Sequence, residues 1–576
     1  MHSVTGQIVR LSQGGNLHPI AYFLPQPLEE VFLSEIREVS KTINTRRPRP
    51  PRRRPDIDPF VRCADSAEKG CIRILRMLDP ANAVALWFEI RESVPEIDTL
   101  SNVGILESAL WALGAAGGGA STDTLVMQRY FRLFGRWWAA KSAIVMFEAM
   151  SLEDFDEALP ATTAMAFASA DGREFQSRIA SGFIRFRWIA REVSAALVKE
   201  IEEAPEFAAL LPDFTDRNLK QLELGIDMYG SRLLLLSIDD GGARIAQHLS
   251  VAAGSLAGTE LIDLATSNIR SERPWIRFQD ALVPVALRTA NLEIESGLLA
   301  AVDRILLSSK LPAATKGELF ERTAQQLILE ALGHGYRGPQ RPATLACGVA
   351  YERADDRDVD FAAIAPNSGS VIAIGEVKAK SRSKKTRSAL EAFMAQIDEV
   401  SEQISLRLDA LEKGSSLKDG HGREYTSMNP VLGLGILLHG YGGNLTDSRT
   451  MSALPNAATR ELVAILDIHS WIIVLNMFDS PMELQEYLRF RFQLRELSVI
   501  AMDEADLAIA YLSGPERTLS FFRSTLPKSK GQESVRTLNG CFVSAKDSIE
   551  TLKPSSSEGW RATLYSVAEN NTIFEN

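Results

Sequence analysis

Charged residues interrupt two short apolar runs in the second half of the chain. Asp358 and Asp360 open the first run, and Glu376 and Lys378 close the second. Side chains alternate across a strand, so each pair would share one face of its strand. Two carboxylates and an amine on one sheet can bind a divalent metal ion and direct a water molecule at a phosphodiester. The pattern therefore predicts phosphodiester hydrolysis.

The turn between the two runs predicts how these residues pair. A hairpin that closes around Pro366–Ser370 places Asp360 opposite Glu376 and Asp358 opposite Lys378. Cross-strand neighbours of this kind lie about 5 Å apart. Facing carboxylates repel each other unless a cation lies between them, and oxygen ligands favour Mg²⁺ or Mn²⁺. An exposed Glu–Lys pair on an edge strand is the alternative, although the apolar run before Glu376 favours a central strand.

A third carboxylate belongs to a predicted helix over 316–333. Glu321 falls within the apolar stripe of this helix, which includes Phe320 and Ile328. A glutamate on a buried face is costly unless it is paired or bound to a metal ion. The packing face should lie on the sheet, so we expect Glu321 to approach the two strand carboxylates. A glutamate in a frayed first turn that reaches solvent is the alternative.

Two basic patches stand out in an acidic chain. The net charge is −11 and the pI is about 5.4, so nucleic acid would have to bind through local patches. An Arg/Pro tract at 45–55 holds six arginines and also fits a solvated, polyproline-like linker. The second patch follows Lys378 and also fits an exposed helix start. The candidate nucleic-acid-binding residues are Arg52, Arg53, Arg54, Lys380, Arg382, Lys384, Lys385 and Arg387.

Composition excludes several other classes of protein. Hydrophobic residues make up 45% of the chain and charged residues 24%, which is typical of a globular protein. The four cysteines form no C-x-x-C pair, which argues against a zinc site and favours reduced thiols. We find no signal-peptide pattern, no apolar run of the roughly 18 residues that a membrane span needs, and no P-loop. We therefore expect a cytoplasmic protein without a membrane partner.

Hydrophobic periodicity divides the chain into four regions. We expect a strand, a helix and the Arg/Pro linker over 1–60, an all-α domain over 61–311, an α/β domain over 312–480, and a helical extension with a polar tail over 481–576. A helical repeat in the second region is left open. The predicted helices of that region span 81–92, 122–140, 179–203, 219–236 and 280–306.

The element order changes after residue 312. A helix is followed by a three-strand meander, a second helix and a further strand, which is an α/β arrangement. A polar loop is predicted over 413–430. The predicted elements are the helix 316–333, strands at 345–351, 358–365 and 371–379, the helix 386–411, a strand at 431–438, an apolar stretch at 462–478, and helices at 482–510 and 515–525.

These residues and their order resemble the PD-(D/E)xK nuclease superfamily, which has the restriction-endonuclease-like fold. The resemblance covers about 316–440 and is carried by Gly317–Glu321, Asp360 and Glu376-Val377-Lys378, although Val359 stands where the family name has a proline. It implies that Asp360, Glu376 and the Val377 carbonyl bind Mg²⁺ or Mn²⁺, that Lys378 positions the attacking water, and that Glu321 assists. Asp358 and Gln396 are accessory candidates. Gln396 lacks the tyrosine that relatives carry four residues later, because Val400 stands there.

The sequence therefore predicts a multidomain, metal-dependent endonuclease that hydrolyses DNA. The mostly α-helical first half would recognise the substrate or regulate cleavage, and the architecture resembles bacterial restriction and anti-phage defence proteins. Since no ATPase motif is present, an ATPase or helicase could act as a partner protein. Two alternatives stay open: a noncatalytic scaffold that binds nucleic acid or protein, and a nuclease directed at RNA rather than DNA.

Overall fold

The structure is a computed structural model that describes most of the chain. The described residues are 58–93, 103–155, 187–229, 241–265, 268–285, 290–309, 313–335, 344–351, 358–365, 368–379, 386–419, 422–438, 461–478, 481–497, 499–501, 504–524, 536–538, 565–566 and 568–569. The predicted elements before residue 58, including Arg52, Arg53 and Arg54, lie outside these ranges. No described helix is both long enough and apolar enough to pass through a lipid bilayer.

The chain forms two compact units. The first unit comprises Met1–Ser151 and Val198–Leu311, and the second comprises Leu152–Leu197 and Pro312–Asn576.

The first unit is mainly helical, with large aromatic side chains in its core. Trp111, Tyr130 and Trp137 are fully buried there, which explains the strong apolar periodicity of these segments. The helices before residue 312 are α1 (Asp58–Leu75), α2 (Asn82–Ser93), α3 (Val103–Ala116), α4 (Thr124–Phe155), α5 (Arg187–Glu203), α6 (Pro205–Leu210), α7 (Asp216–Tyr229), α8 (Gly241–His248), α9 (Leu261–Ala265), α10 (Asn268–Glu272) and α11 (Ala290–Ser308). Residues 152–155 of α4 and 187–197 of α5 belong to the second unit.

A small sheet corrects the all-α prediction for the first unit. Strands β1 (Ser250–Ala252), β2 (Trp275–Arg277) and β3 (Leu282–Pro284) pair in that order. The helix predicted over 280–306 is therefore wrong in its first part, because α11 begins only at Ala290. Periodicity does not distinguish a short buried strand from helix, and Pro284 is tolerated because β3 is an edge strand.

The second unit is built on a six-stranded mixed sheet. Its order is β6-β5-β4-β7-β8-β9, and β6 also pairs in parallel with β8. The predicted sequence of helix, three-strand meander, helix and strand is present. The elements are α12 (Ala313–Gly335), β4 (Thr344–Tyr351), β5 (Asp358–Ile364), β6 (Ser370–Lys378), α13 (Thr386–Glu412), β7 (Leu417–Lys418), β8 (Glu424–Leu437) and β9 (Val463–Asp467).

The register predicted from the β5–β6 turn is confirmed for three pairs. Phe361 pairs with Gly375, Ala362 with Ile374, and Ala363 with Ala373. The register shifts between Ala363 and Ile364, and the pairs end at Phe361 and Gly375, one step before Asp360 and Glu376. The turn is closed by a hydrogen bond from the Ala365 amide to the Ser370 carbonyl, at 2.8 Å, with Gly369 at a positive φ of 63°.

Helices cover both faces of this sheet. Phe320, Leu327 and Ile328 of α12 belong to one apolar cluster, together with Ala373 and Val377 of β6. The other face is covered by α13, whose Ile397, Val400, Ile404 and Leu408 share a second cluster with Val359 and Ile374. Residues that alternate along β6 therefore point to different helices, and Glu376 lies on the α13 side.

Glycines let α13 lie close to the sheet. A Cβ built on Gly435 would lie 2.8 Å from side-chain atoms of both Val400 and Ile465, and one on Gly433 would lie 2.6 Å from Ile404. Gly435 is the partner of Glu376 in the parallel β6–β8 ladder. The helix is thus held close to β8, the strand that pairs with the Glu376 strand.

Three predictions in the C-terminal half need correction. The 413–430 loop contains β7 and the first half of β8, and the apolar stretch 462–478 divides into β9 and helix α14 (Ile468–Met477). Asp467 makes this division, since its side chain accepts a hydrogen bond from the Ser470 amide at 3.0 Å and caps α14. The segment 482–510 is interrupted by strand β10. Its elements and the following ones are α15 (Pro481–Glu496), β10 (Val499–Ala501), α16 (Glu504–Leu512), α17 (Pro515–Ser524) and β11 (Arg536–Leu538).

Candidate active site

The β5–β6 ladder ends where the two strand carboxylates begin. Asp360 turns its side chain onto the neighbouring strand, and its Oδ2 accepts a hydrogen bond from the Val377 amide at 2.6 Å. The amide and carbonyl of one strand residue point to the same side, so the Val377 carbonyl also faces β5. The Asp360 side chain and the Val377 carbonyl therefore lie on the same side of β6.

Glu376 is buried beside Asp360. The residue is only 1% exposed, and its strand is paired on both sides, with β5 and with β8. The alternative of an exposed pair on an edge strand is therefore wrong. Burial, and next the negative charge of Asp360, raise the pKa of Glu376 to about 8, whereas Arg407 and Lys378 act in the opposite direction.

Arg407 of α13 forms an ion pair with Glu376, and sequence reasoning missed it. Its Nη1 contacts Glu376 Oε1, and both side chains are almost completely buried. A signal was present, because Arg407 follows Val400 by seven residues and therefore lies on the buried face of α13. An arginine on such a face requires a partner, and the two strand carboxylates are the partners available.

Lys378 lies at the half-buried end of β6. Its Nζ lies 3.5 Å from Glu399 Oε1 of α13, and the Lys378 carbonyl accepts a hydrogen bond from the Leu438 amide. The amine therefore has a salt-bridge partner that is 38% exposed. An ion pair this accessible to solvent is weak, so Lys378 can exchange Glu399 for another anion.

Glu321 reaches the site through a second glutamine that the sequence did not single out. Gln325 Nε2 donates to Glu321 Oε1 at 2.9 Å and to the Asp360 carbonyl at 2.8 Å. Glu321 is half-buried in the third turn of α12, so the frayed first-turn alternative is wrong. The side-chain amide of Gln325 thus links the Glu321 carboxylate to the backbone of β5.

The remaining candidates are placed less fully. Gln396 is buried on α13 and only 3% exposed, while Asp358 pairs with Ala350 at the start of β5. Arg387 belongs to the first turn of α13, and nothing is described of its side chain or that of Asp358. The other basic candidates after Lys378 lie outside the described residues, namely Lys380, Arg382, Lys384 and Lys385.

The donor set suits a hard cation held by few protein ligands. Within the described ranges, no three His, Cys, Asp or Glu side chains converge as a metal site. Mg²⁺ is commonly held by one or two carboxylates together with water and substrate phosphates, so two adjacent carboxylates and a carbonyl are chemically sufficient. Asp360, Glu376 and Val377 provide these groups, and the guanidinium of Arg407 contacts one oxygen of Glu376.

Comparisons with protein-family models, curated proteins and solved structures find no match to this chain.

Proposed function

We propose that the second unit is a metal-dependent nuclease that hydrolyses phosphodiester bonds of DNA. The observation that carries this proposal is the burial of Glu376 beside Asp360, with Lys378 two residues further along the same strand. Burying Glu376 beside a second carboxylate is costly, and a purely structural role would be served better by apolar residues. The PD-(D/E)xK resemblance supports the same conclusion.

Asp360, Glu376 and the Val377 carbonyl would hold Mg²⁺ or Mn²⁺. A divalent ion at these ligands supplies Lewis acidity, which lowers the pKa of water and neutralises charge on the phosphate. The Asp360 side chain is already oriented by its hydrogen bond to the Val377 amide. Burial of Glu376 strengthens the electrostatic interactions of this carboxylate, since little solvent screens it.

Lys378 would orient the attacking water or donate to the scissile phosphate. It projects from the same strand face as Glu376, at the end of β6 that is half-exposed. Its present partner, Glu399, is partly solvated and can yield to a phosphate oxygen. Glu321 would act through Gln325, which positions both this carboxylate and the backbone of Asp360.

The first unit and the basic segments would serve recognition and regulation. We place DNA before RNA as the substrate and propose a role in bacterial restriction or anti-phage defence, with an ATPase or helicase as a possible partner protein. The residues after Lys378 would contact backbone phosphates, which requires positive charge but no sequence reading.

A noncatalytic nucleic-acid-binding or protein-interaction scaffold is the second candidate function. One observation favours it, namely the ion pair in which Arg407 already neutralises Glu376. If that pair were permanent, the nuclease-like site would bind no metal and the unit would act only as a platform.

Cleavage assays on the full chain separate these functions. Plasmid, linear duplex and single-stranded DNA, and RNA, would be incubated with Mg²⁺, Mn²⁺ or EDTA. We expect metal-dependent cleavage that Glu376→Gln and Lys378→Met each abolish. Glu402→Gln and Lys413→Met, at exposed positions on and just after α13, are the matched controls and should cleave like the wild type. Metal-independent binding without cleavage of any substrate would favour the scaffold.

A further inference from the structure

We propose that Arg407 is a charge placeholder for the divalent cation: it holds Glu376 in the metal-free protein and must withdraw from that carboxylate when the cation binds. This inference rests on the proposed function, since it assigns a positioning role at the same site.

The contact makes Arg407 a competitor of the cation for Glu376. Arg407 Nη1 touches Glu376 Oε1. A divalent ion that binds this carboxylate would have to lie close beside the guanidinium. Their positive charges would also repel each other strongly in a site from which most water is excluded.

Arg407 is the cation in contact with Glu376. Ionised Glu376, beside the second carboxylate Asp360, needs a positive charge at this position, and Lys378 is already paired with Glu399. Arg407 therefore supplies the positive charge that lets Glu376 remain buried without metal. A divalent ion carries two positive charges and would neutralise the Glu376 carboxylate in the same way. Glu376 therefore no longer needs the Arg407 guanidinium once the ion is bound.

A second buried pair supplies a matched control. Arg491 and Glu504 are ion-paired at 2.9 Å, with side chains that are 11% and 2% exposed, against 9% and 2% for Arg407 and Glu376. Arg491 lies on α15, and Glu504 opens α16, so neither belongs to the candidate active site. Removing Arg491 therefore disrupts a pair of the same type and burial without altering the proposed cation site.

Mn²⁺ binding to the full chain, measured by electron paramagnetic resonance, tests the placeholder role without substrate. Arg407→Met should bind Mn²⁺ at least about tenfold more tightly than the wild type, because a competing charge is removed. Arg491→Met should bind it like the wild type. An affinity in folded Arg407→Met that equals or falls below the wild-type value would overturn the inference, because a merely structural arginine would give that result.

Arg407→Lys keeps the test decisive if Arg407→Met does not fold. Lysine retains the charge but lacks the planar fork of donors, so it should release Glu376 more readily and tighten Mn²⁺ binding. Unchanged or weaker binding in folded Arg407→Lys would contradict the inference. Circular dichroism of each metal-free variant establishes that it is folded.

Carboxylate variants distinguish this inference from the proposed function. Asp360→Asn and Glu376→Gln should each weaken Mn²⁺ binding in the wild-type and Arg407→Met backgrounds. If they do so but Arg407→Met binds no more tightly than the wild type, only the placeholder role fails. If Mn²⁺ binding is indifferent to both carboxylates, the proposed metal site fails with it.

Discussion

Two buried Arg–Glu pairs among the described residues of the second unit look alike in burial and differ in their surroundings. Glu504 accepts hydrogen bonds from Tyr487 at 2.6 Å and from Arg491 Nε and Nη2 at 2.9 and 3.1 Å. Glu376 instead lies beside a second carboxylate, Asp360, which adds to the effect of burial in raising the pKa of Glu376. The first carboxylate is satisfied by protein donors, whereas the second contacts the Arg407 guanidinium and lies next to another carboxylate. Neighbours, rather than burial, therefore separate a structural pair from a candidate ligand.

The same substitution in the two pairs should have very different effects on stability. Glu504→Gln should cost about 3–5 kcal/mol, because it leaves a buried arginine without its charge partner. Glu376→Gln should cost much less, since it also removes repulsion from Asp360. Urea unfolding of the metal-free chain measures both. Equal losses of unfolding free energy in the two variants would contradict the proposed difference between the two pairs.

The position of Glu376 in β6 depends on the small size of its neighbour Gly375. A Cβ there would lie 1.9 Å from the Phe361 ring, so Gly375→Ala should cost about 1–3 kcal/mol through overpacking. Gly317→Ala is the matched control, because no atom lies within 4 Å of its Cβ position and alanine favours helix. Denaturant midpoints should thus shift in opposite directions. If Gly375→Ala left the free energy of unfolding unchanged, the β5–β6 hairpin would have to adapt freely to the added methyl group.

Removing the Gln325 side chain, which links α12 to β5 by hydrogen bonds, should lower the stability by a smaller amount. Gln325→Ala removes the donor to the Asp360 carbonyl and to Glu321, at a cost of about 1–2 kcal/mol. Arg322→Ala, exposed on the same helix, should change stability by less than about 0.5 kcal/mol. If Gln325 positions the site as proposed, its variant also loses cleavage. Full cleavage by Gln325→Ala would leave Gln325 a purely structural residue.

The smallest expected change concerns the partly solvated ion pair of Lys378. Glu399→Gln should alter unfolding free energy by no more than about 0.5 kcal/mol, because Glu399 is well screened by solvent. Cleavage should be retained, since Lys378 only exchanges a weak partner. Loss of cleavage in this variant would show that Glu399 itself takes part in the reaction.

The sequence predicted the strand pair of the site better than the helix above it. Strand alternation and a short turn determine the register of Asp360 and Glu376, because both rules are local. Arg407 and Gln325 required knowledge of which helix covers which face, and periodicity reports only that a face is buried. The short strands β3 and β10 were missed for a related reason, since pairing with distant segments decides them.

Metal-dependent cleavage of supercoiled plasmid DNA is the most direct test of the proposed site. The wild type and Glu402→Gln should nick or linearise the plasmid with Mg²⁺ or Mn²⁺ and not with EDTA, while Glu376→Gln should leave it intact. Cleavage by Glu376→Gln at the wild-type rate would contradict the assignment of this site, whatever the activity of the rest of the chain.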